Sequence, residues 1–243
     1  IFPQLFPLIS GNVLTHLNGA PLKVSGTVDI EKKTSNLDII SWINIDDLTL
    51  HPLLNESPIK DLSFNEPPRI GIKAVLNEGF KLDHLDYTLD ASQLTFRDIA
   101  IDRITAEGSF FPPYLFVDNA VLENNEYRIT GSYKQNLIES DFRMLLTGTI
   151  LPSDFNSVME PWWPEMWSKY KFLEEYMYID MDYSGYWNDK LKRQFYGELK
   201  AENLEYKGLL LQSGSANIWA YPGYVRMFNI ESERSEGNAA GSI

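Results

Sequence analysis

A chain of 243 residues with 44% apolar and 23% charged residues folds around a sizeable core and is not a disordered tail. Its formal charge of -13 opposes phosphate backbones, which excludes nucleic acid as a partner. The absence of cysteine excludes disulfides, thiolate metal sites and a cysteine nucleophile.

In chain order, Ile1 to Gly11 is apolar but broken by Pro3 and Pro7, so an extended segment is expected. Asn18-Gly19 signals a turn. Leu22, Val24, Gly26, Val28 and Ile30 then alternate with polar residues, the period of a half-buried strand. Leu37, Ile39, Ser41, Ile43 and Ile45 continue the alternation, with Ile40 and Trp42 apolar on the other parity. Leu48 to Phe64 is interrupted by Pro52 and Pro58 and is expected to cross an end of the sheet.

Strands are predicted at Ile70–Leu76 and Leu85–Ala91, followed by a compact turn at Arg97-Asp98 between Leu94-Thr95-Phe96 and Ile99-Ala100-Ile101. Pro112-Pro113 and Glu123–Glu126 punctuate the next strands, and Phe142–Ile150 follows them. Pro152 to Tyr176 is the one helical episode. Ser153 or Asp154 suits an N-cap, Phe155, Val158 and Met159 have helical spacing, and Pro164 suits a first turn. Its tryptophans predict a cap or plug against the sheet. Met177, Ile179, Met181, Tyr183 and Trp187 form the cleanest apolar strand face, with Tyr178, Asp180, Asp182, Ser184 and Tyr186 opposite. Parity shifts at Asn203 and Gly208 place turns or bulges there. Strands of about six to nine residues would each span roughly 20–30 Å at about 3.3 Å per residue. Hairpin-length connections predict an antiparallel meander.

The stretch from Phe195 to Ile243 repeats an earlier one at an offset of 110. Ala201 falls on Ala91, Leu204 on Leu94, Ala216 on Ala106, Pro222 on Pro112, Tyr224 on Tyr114 and Gly241 on Gly131. Such a period marks a chain built by repeating one supersecondary unit. The expected organisation is one elongated repeat domain with units near 1–84, 85–150 and 177–243 and a helical insert at 152–176. The first residues, Ile1-Phe2-Pro3, and the end just after Gly241-Ser242 suggest an internal fragment of a longer protein.

Chemical motifs are sparse. Asp180 and Asp182 are close to Asp189 in sequence, but a calcium site or catalytic pair needs further ligands or a partner carboxylate, and a solvated strand face explains them better. His16, His51 and His84 lack metal-ligand spacing. There is no nucleophile elbow, P-loop or dinucleotide glycine fingerprint. Neither catalysis, a cofactor nor a metal is expected. Gly185 and Gly197 stand alone in strands, where glycine marks a bulge or close approach. Asn55-Glu56-Ser57 matches a glycosylation sequon.

The repeated unit, a strand running into Ala-x-Asn-Leu-x-Tyr-x-Gly at Phe195–Gly208 with Gly237–Ile243, and its copy in Ala91–Phe96 with Arg128–Ser132, resembles the repeats of the AsmA-like superfamily. Thr147–Phe155 ahead of the Trp-rich insert adds to the likeness. The resemblance implies a mostly β chain, an antiparallel meander curled into a long, twisted, open groove. It implies a non-enzymatic role in the periplasm, in a protein anchored in the inner membrane, carrying phospholipid acyl chains or scaffolding the envelope between the two membranes. Leu85, Tyr87, Leu89, Met177, Ile179, Met181, Tyr183, Leu199 and Leu204 are the candidate lipid-groove residues. The same positions would serve core packing of a closed sandwich or barrel. Acyl chains and neighbouring repeats of the same chain are the implied partners. An extracellular carbohydrate-binding or carbohydrate-cleaving protein using Trp162, Trp163 and Trp167 is the alternative, and a structural spacer in a large surface protein is a third reading.

Overall fold

A computed structural model describes residues 8–17, 20–42, 61–124, 127–157, 159, 161–173 and 176–242. The expectations for Ile1–Pro7, the Asn18-Gly19 turn, Ile43 and Ile45, the crossing run through Ile59, the sequon at Asn55, His51, Val158 and Ile243 lie outside them. The first part holds β1 (Leu8–Leu17), β2 (Ala20–Asp29), β3 (Thr34–Ser41), β4 (Leu62–Phe64) and β5 (Arg69–Asn77). The middle holds β6 (Lys81–Phe96), β7 (Ile99–Phe111), β8 (Tyr114–Asn124), β9 (Tyr127–Asn136) and β10 (Asp141–Ile150). A 3-10 turn (Pro152–Ser157), helix α1 (Trp162–Trp167) and β11 (Tyr170–Phe172) precede β12 (Met177–Tyr186), β13 (Asp189–Tyr206), β14 (Leu209–Tyr221), β15 (Tyr224–Arg234) and β16 (Gly237–Gly241).

All 16 strands belong to one sheet, an open antiparallel meander from β1 to β16. Only β4 and β11 leave the main path, pairing with the far ends of β6 and β13. The meander follows from the sequence: apart from the long β3–β5 and β10–β12 connections, each apolar alternation is closed by a turn too short to carry a crossover helix, so neighbours in sequence pair side by side.

The 110-residue offset is built into the backbone. β7 and β14 differ by 110 at both bounds, and so do β8 and β15. Gln93 and Asn203 both adopt positive φ, of 51° and 48°, and Arg97 and Lys207 do the same at 53° and 49°. β4 joins Leu94–Phe96 as β11 joins Leu204–Tyr206. Each is followed by one backbone bond to the irregular residue: Asn65 N–H to Gln93 O at 3.1 Å, and Leu173 N–H to Asn203 O at 2.9 Å.

Two expectations are corrected. Strands run well past six to nine residues, β6 to 16 and β13 to 18. The parity breaks at Gln93 and Asn203 are positive-φ kinks through which the strand continues in unchanged register, so a change of face does not end an element. The insert is also less helical than expected: its helix ends at Trp167, and Tyr170–Phe172 satisfy their backbone groups on β13. The tryptophans and prolines permit only short turns, and Tyr-Lys-Phe suits an edge pairing better.

Close approaches bend the sheet. At Gly108 the register of β7 against β8 shifts, and a Cβ there would collide with the Phe116 carbonyl and with the Tyr87 hydroxyl at 2.8 Å. Gly148 in β10 faces the Arg128 carbonyl in the same way, with φ of 153°. Glycine kinks and bulges of this kind introduce curvature into a long sheet. Replacing Gly108 by Ala is expected to lower stability by about 1–3 kcal/mol, because the clash is with backbone. Gly214→Ala, whose nearest neighbour would be Leu204 Cδ2 at 3.4 Å, should cost well under about 1 kcal/mol. Urea unfolding midpoints of the two variants check the contrast, and equal losses would contradict it.

Candidate functional site

The register carries one side of the sheet from strand to strand as an apolar face. It begins with Ile9 and Val13 on β1, opposite Val28 and Val24 on β2, and continues through Leu37 and Ile39 on β3 to Ile72 and Ala74 on β5. Leu85, Tyr87, Leu89 and Ala91 of β6 follow, then Ile104, Ala106 and Phe110 of β7. Leu122, Ile129, Leu146 and Met181 lead across β8, β9, β10 and β12. Leu199, Ala216 and Ile218 complete it on β13 and β14, and Met227 continues it on β15. None of these positions is charged.

The opposite face is polar and laced with cross-strand ion pairs. Arg103 grips Asp90 through Nε and one terminal nitrogen at 3.1 Å and Arg143 bonds Asp182 at 2.7 Å, while Lys200 meets Glu198 of its own strand at 2.7 Å. Asp180 accepts from the Thr147 hydroxyl at 3.1 Å. Asp180 and Asp182 therefore work on the outer face, while Asp189 pairs with Lys192 at the β12–β13 turn. Among the described residues there is no cluster of three or more metal-ligating side chains.

The nine groove candidates divide into two groups. Leu85, Tyr87 and Leu89 are half-buried on β6. Met177, Ile179, Met181, Tyr183, Leu199 and Leu204 are buried in the main core, beneath the insert. The insert leaves β10 and lays Phe155 across both core clusters, brings Trp162 to Phe195 with ring centroids 5.5 Å apart, and returns as β11 beside Leu204. Trp163 is 1% exposed and donates its indole N–H to the Pro152 carbonyl at 2.8 Å. Trp163 and Trp167 are both buried and stack edge-on at 5.5 Å, so neither offers a free ring face to a sugar. Arg97 pins the insert to the first repeat, bonding Asp61 at 2.8 Å and the Ser157 carbonyl at 2.8 Å.

Sequence reasoning missed a small polar network set into this face. Trp187 donates to the Tyr133 hydroxyl at 2.7 Å, and that hydroxyl donates to the buried Gln135 at 2.8 Å. It also missed an apolar cleft of about 460 Å³ at the turn end of the second repeat, between Trp162, Leu191, Phe195 and the Tyr221–Val225 turn. The available signal was a hydrophobic residue placed beside each turn motif, as in Lys190-Leu191-Lys192-Arg193.

Compared with protein-family models, with curated proteins and with solved structures, the chain matches none. No helix among the described residues is long and apolar enough to cross a membrane, which says nothing of strands.

Two tyrosines on the apolar face respond to pH. Burial pushes the hydroxyls of Tyr87 and Tyr133 well above the ordinary value of 10.0, and the Asp118 charge adds to the effect at Tyr87. A proton held more tightly in the folded than in the unfolded chain stabilises the fold fully below the unfolded value and is lost as pH rises beyond it. Stability is therefore expected to fall above about pH 10, with two phenols ionising only on unfolding. Tyrosinate absorbance against circular dichroism checks this. Tyr133→Phe, which strands Trp187 and Gln135, should cost about 1–3 kcal/mol at neutral pH and remove one of the late phenols.

Proposed function

We propose that this chain is a non-enzymatic segment of a bacterial envelope protein that holds phospholipid acyl chains along its apolar sheet face. The observation that carries the reading is that face itself, apolar from β1 to β15 apart from Arg193 at its turn end, on a sheet whose other side carries the ion pairs. A conduit for lipid tails needs a continuous stripe and no single deep pocket, and each methylene taken from water contributes roughly 0.8 kcal/mol. The half-buried stretch around Leu85, Tyr87 and Leu89 is where an acyl chain would lie, while the insert packs over the core of β12 and β13. The likeness to AsmA-like repeats supports a periplasmic setting, inner-membrane anchoring and lipid transport or scaffolding between the membranes as parts of the same proposal.

The edges suit a repeat array. β16 occupies in the second repeat the place β9 occupies in the first, and the far side of β9 takes β10. The free side of β16 thus offers the register of a further strand, so neighbouring repeats of the same chain are the proposed edge partners.

Native mass spectrometry after mild purification, with a fluorescent phospholipid uptake assay, tests the function. Bound phospholipid is expected at one or more copies per chain, and Leu85→Asp with Leu89→Asp should reduce uptake by about tenfold or more, given the cost of placing charge beside acyl chains. Lipid-free protein that takes up no labelled phospholipid would sink the proposal.

A further inference from the structure

In the meander, successive turns alternate between the two ends of the strands. The β2–β3, β5–β6, β7–β8, β9–β10, β12–β13 and β14–β15 turns all lie at one end. Each of these tips carries an exposed large apolar side chain. In the first repeat they include Phe80, Phe111 and Tyr114, and further along Ile138 is 73% exposed and Leu191 80%. Tyr221 and Tyr224, stacked at 4.9 Å, stand where Phe111 and Tyr114 stand one repeat earlier. At the other end the described turns are polar, Arg97-Asp98, Lys207-Gly208 and Ser235-Glu236, and the exposed large apolar residues there include Leu209, Leu210, Trp42 and Leu173.

Charge divides the same way in the second repeat. Residues 187–194 and 221–226 hold Lys190, Lys192, Arg193 and Arg226 against Asp189, four cations to one carboxylate, or +3. The opposite ends of these strands, 202–209 and 231–237, hold five glutamates against Lys207 and Arg234, or -3. In a chain of net -13, a cationic apolar end is a local reversal. The two tips lie two strand spacings apart, roughly 10 Å, with the apolar cleft between them.

We infer that this row of hairpin tips is a membrane-docking edge, seating Leu191, Tyr221 and Tyr224 in the headgroup layer of an anionic bilayer. Tyrosines with an apolar body and a polar tip suit that layer. Lysines beside the tips add attraction to anionic lipid. Separate projecting turns enter a fluid interface more readily than they match a rigid protein surface. This edge does not depend on what the apolar face holds.

Flotation of the full chain with vesicles of phosphatidylcholine and phosphatidylglycerol, against phosphatidylcholine alone, tests it. Binding to the anionic vesicles is expected to be about tenfold or more tighter and to weaken with salt. Lys190→Glu with Lys192→Glu should reduce binding to the level of neutral vesicles. Leu191→Ser with Tyr221→Ser and Tyr224→Ser should abolish it. Leu209→Ser with Leu210→Ser, at the opposite end, should leave it unchanged. All these sites are exposed, and an unaltered thermal midpoint verifies that each variant folds. No binding to anionic vesicles overturns the inference, and so does equal loss in the Leu209/Leu210 variant. Self-association that the triple variant removes, without vesicle binding, would assign the edge to a second copy of the chain. Failure of lipid uptake in the presence of vesicle binding would refute the acyl-chain reading alone.

Discussion

A sheet with one apolar face has to shield that face from water, and this one does so without closing. A barrel would join its edges and a sandwich would lay a second sheet across it. Here β1 and β16 remain separate edges, and cover comes from within the chain. Over the second repeat, the turn, helix and short strand of the insert supply Trp163, Trp167 and Phe155 to the face beneath. On β6, Leu85, Tyr87 and Leu89 stay half-buried. The burial is uneven along one continuous face, and that unevenness distinguishes a stretch that can receive a guest from a stretch already filled.

The duplication indicates which features the fold requires. Gln93 and Asn203 differ chemically but share a backbone conformation, as do Arg97 and Lys207. Inner-face volume is kept by exchange: Tyr87 lies opposite Gly108 in the first repeat, and Gly197 opposite Ile218 in the second. The large and small partners have changed places across the ladder while the pair fills a similar space. A structure that retains bends and volume while varying side-chain identity is specified as a shape, and a surface for acyl chains asks for shape and apolarity alone.

Much of this was legible in the sequence because its signals are local. Alternation located the strands, the offset located the repeat, and the parity shift at Asn203 located a kink of positive φ. What stayed hidden depended on long-range contacts. Nothing local separates Met177, sealed under the insert, from Leu85, half-open on β6, since both stand at inward positions of regular strands. Tyr170–Phe172 is a strand only because the end of β13 extends beyond β12 and offers it a ladder. The Tyr133–Trp187 bond joins residues 54 apart in sequence. The row of apolar tips becomes visible only when alternate turns are placed at one end of the sheet.

The polar face and the two ends resolve the conflict between an acidic chain and a lipid role. Apart from Arg193 near the turn end of β13, charge is kept off the inner face and distributed over the outer one, where carboxylates such as Asp90 and Asp182 are neutralised by arginines one strand away. Net repulsion from an anionic surface is a long-range effect, screened within about 8 Å at physiological salt. What approaches a membrane within that distance is a local patch and not the net charge. The Lys190–Arg193 tip is cationic, whereas the glutamate-rich ends of the same strands lie a strand length away, about 40–60 Å for β13 and β14. On the proposed reading, that separation, several screening lengths, would let one end of the sheet face anionic lipid while the acidic ends stay clear of it. In the proposed docking it is the charge distribution along the strands, and not the total charge, that would orient the sheet.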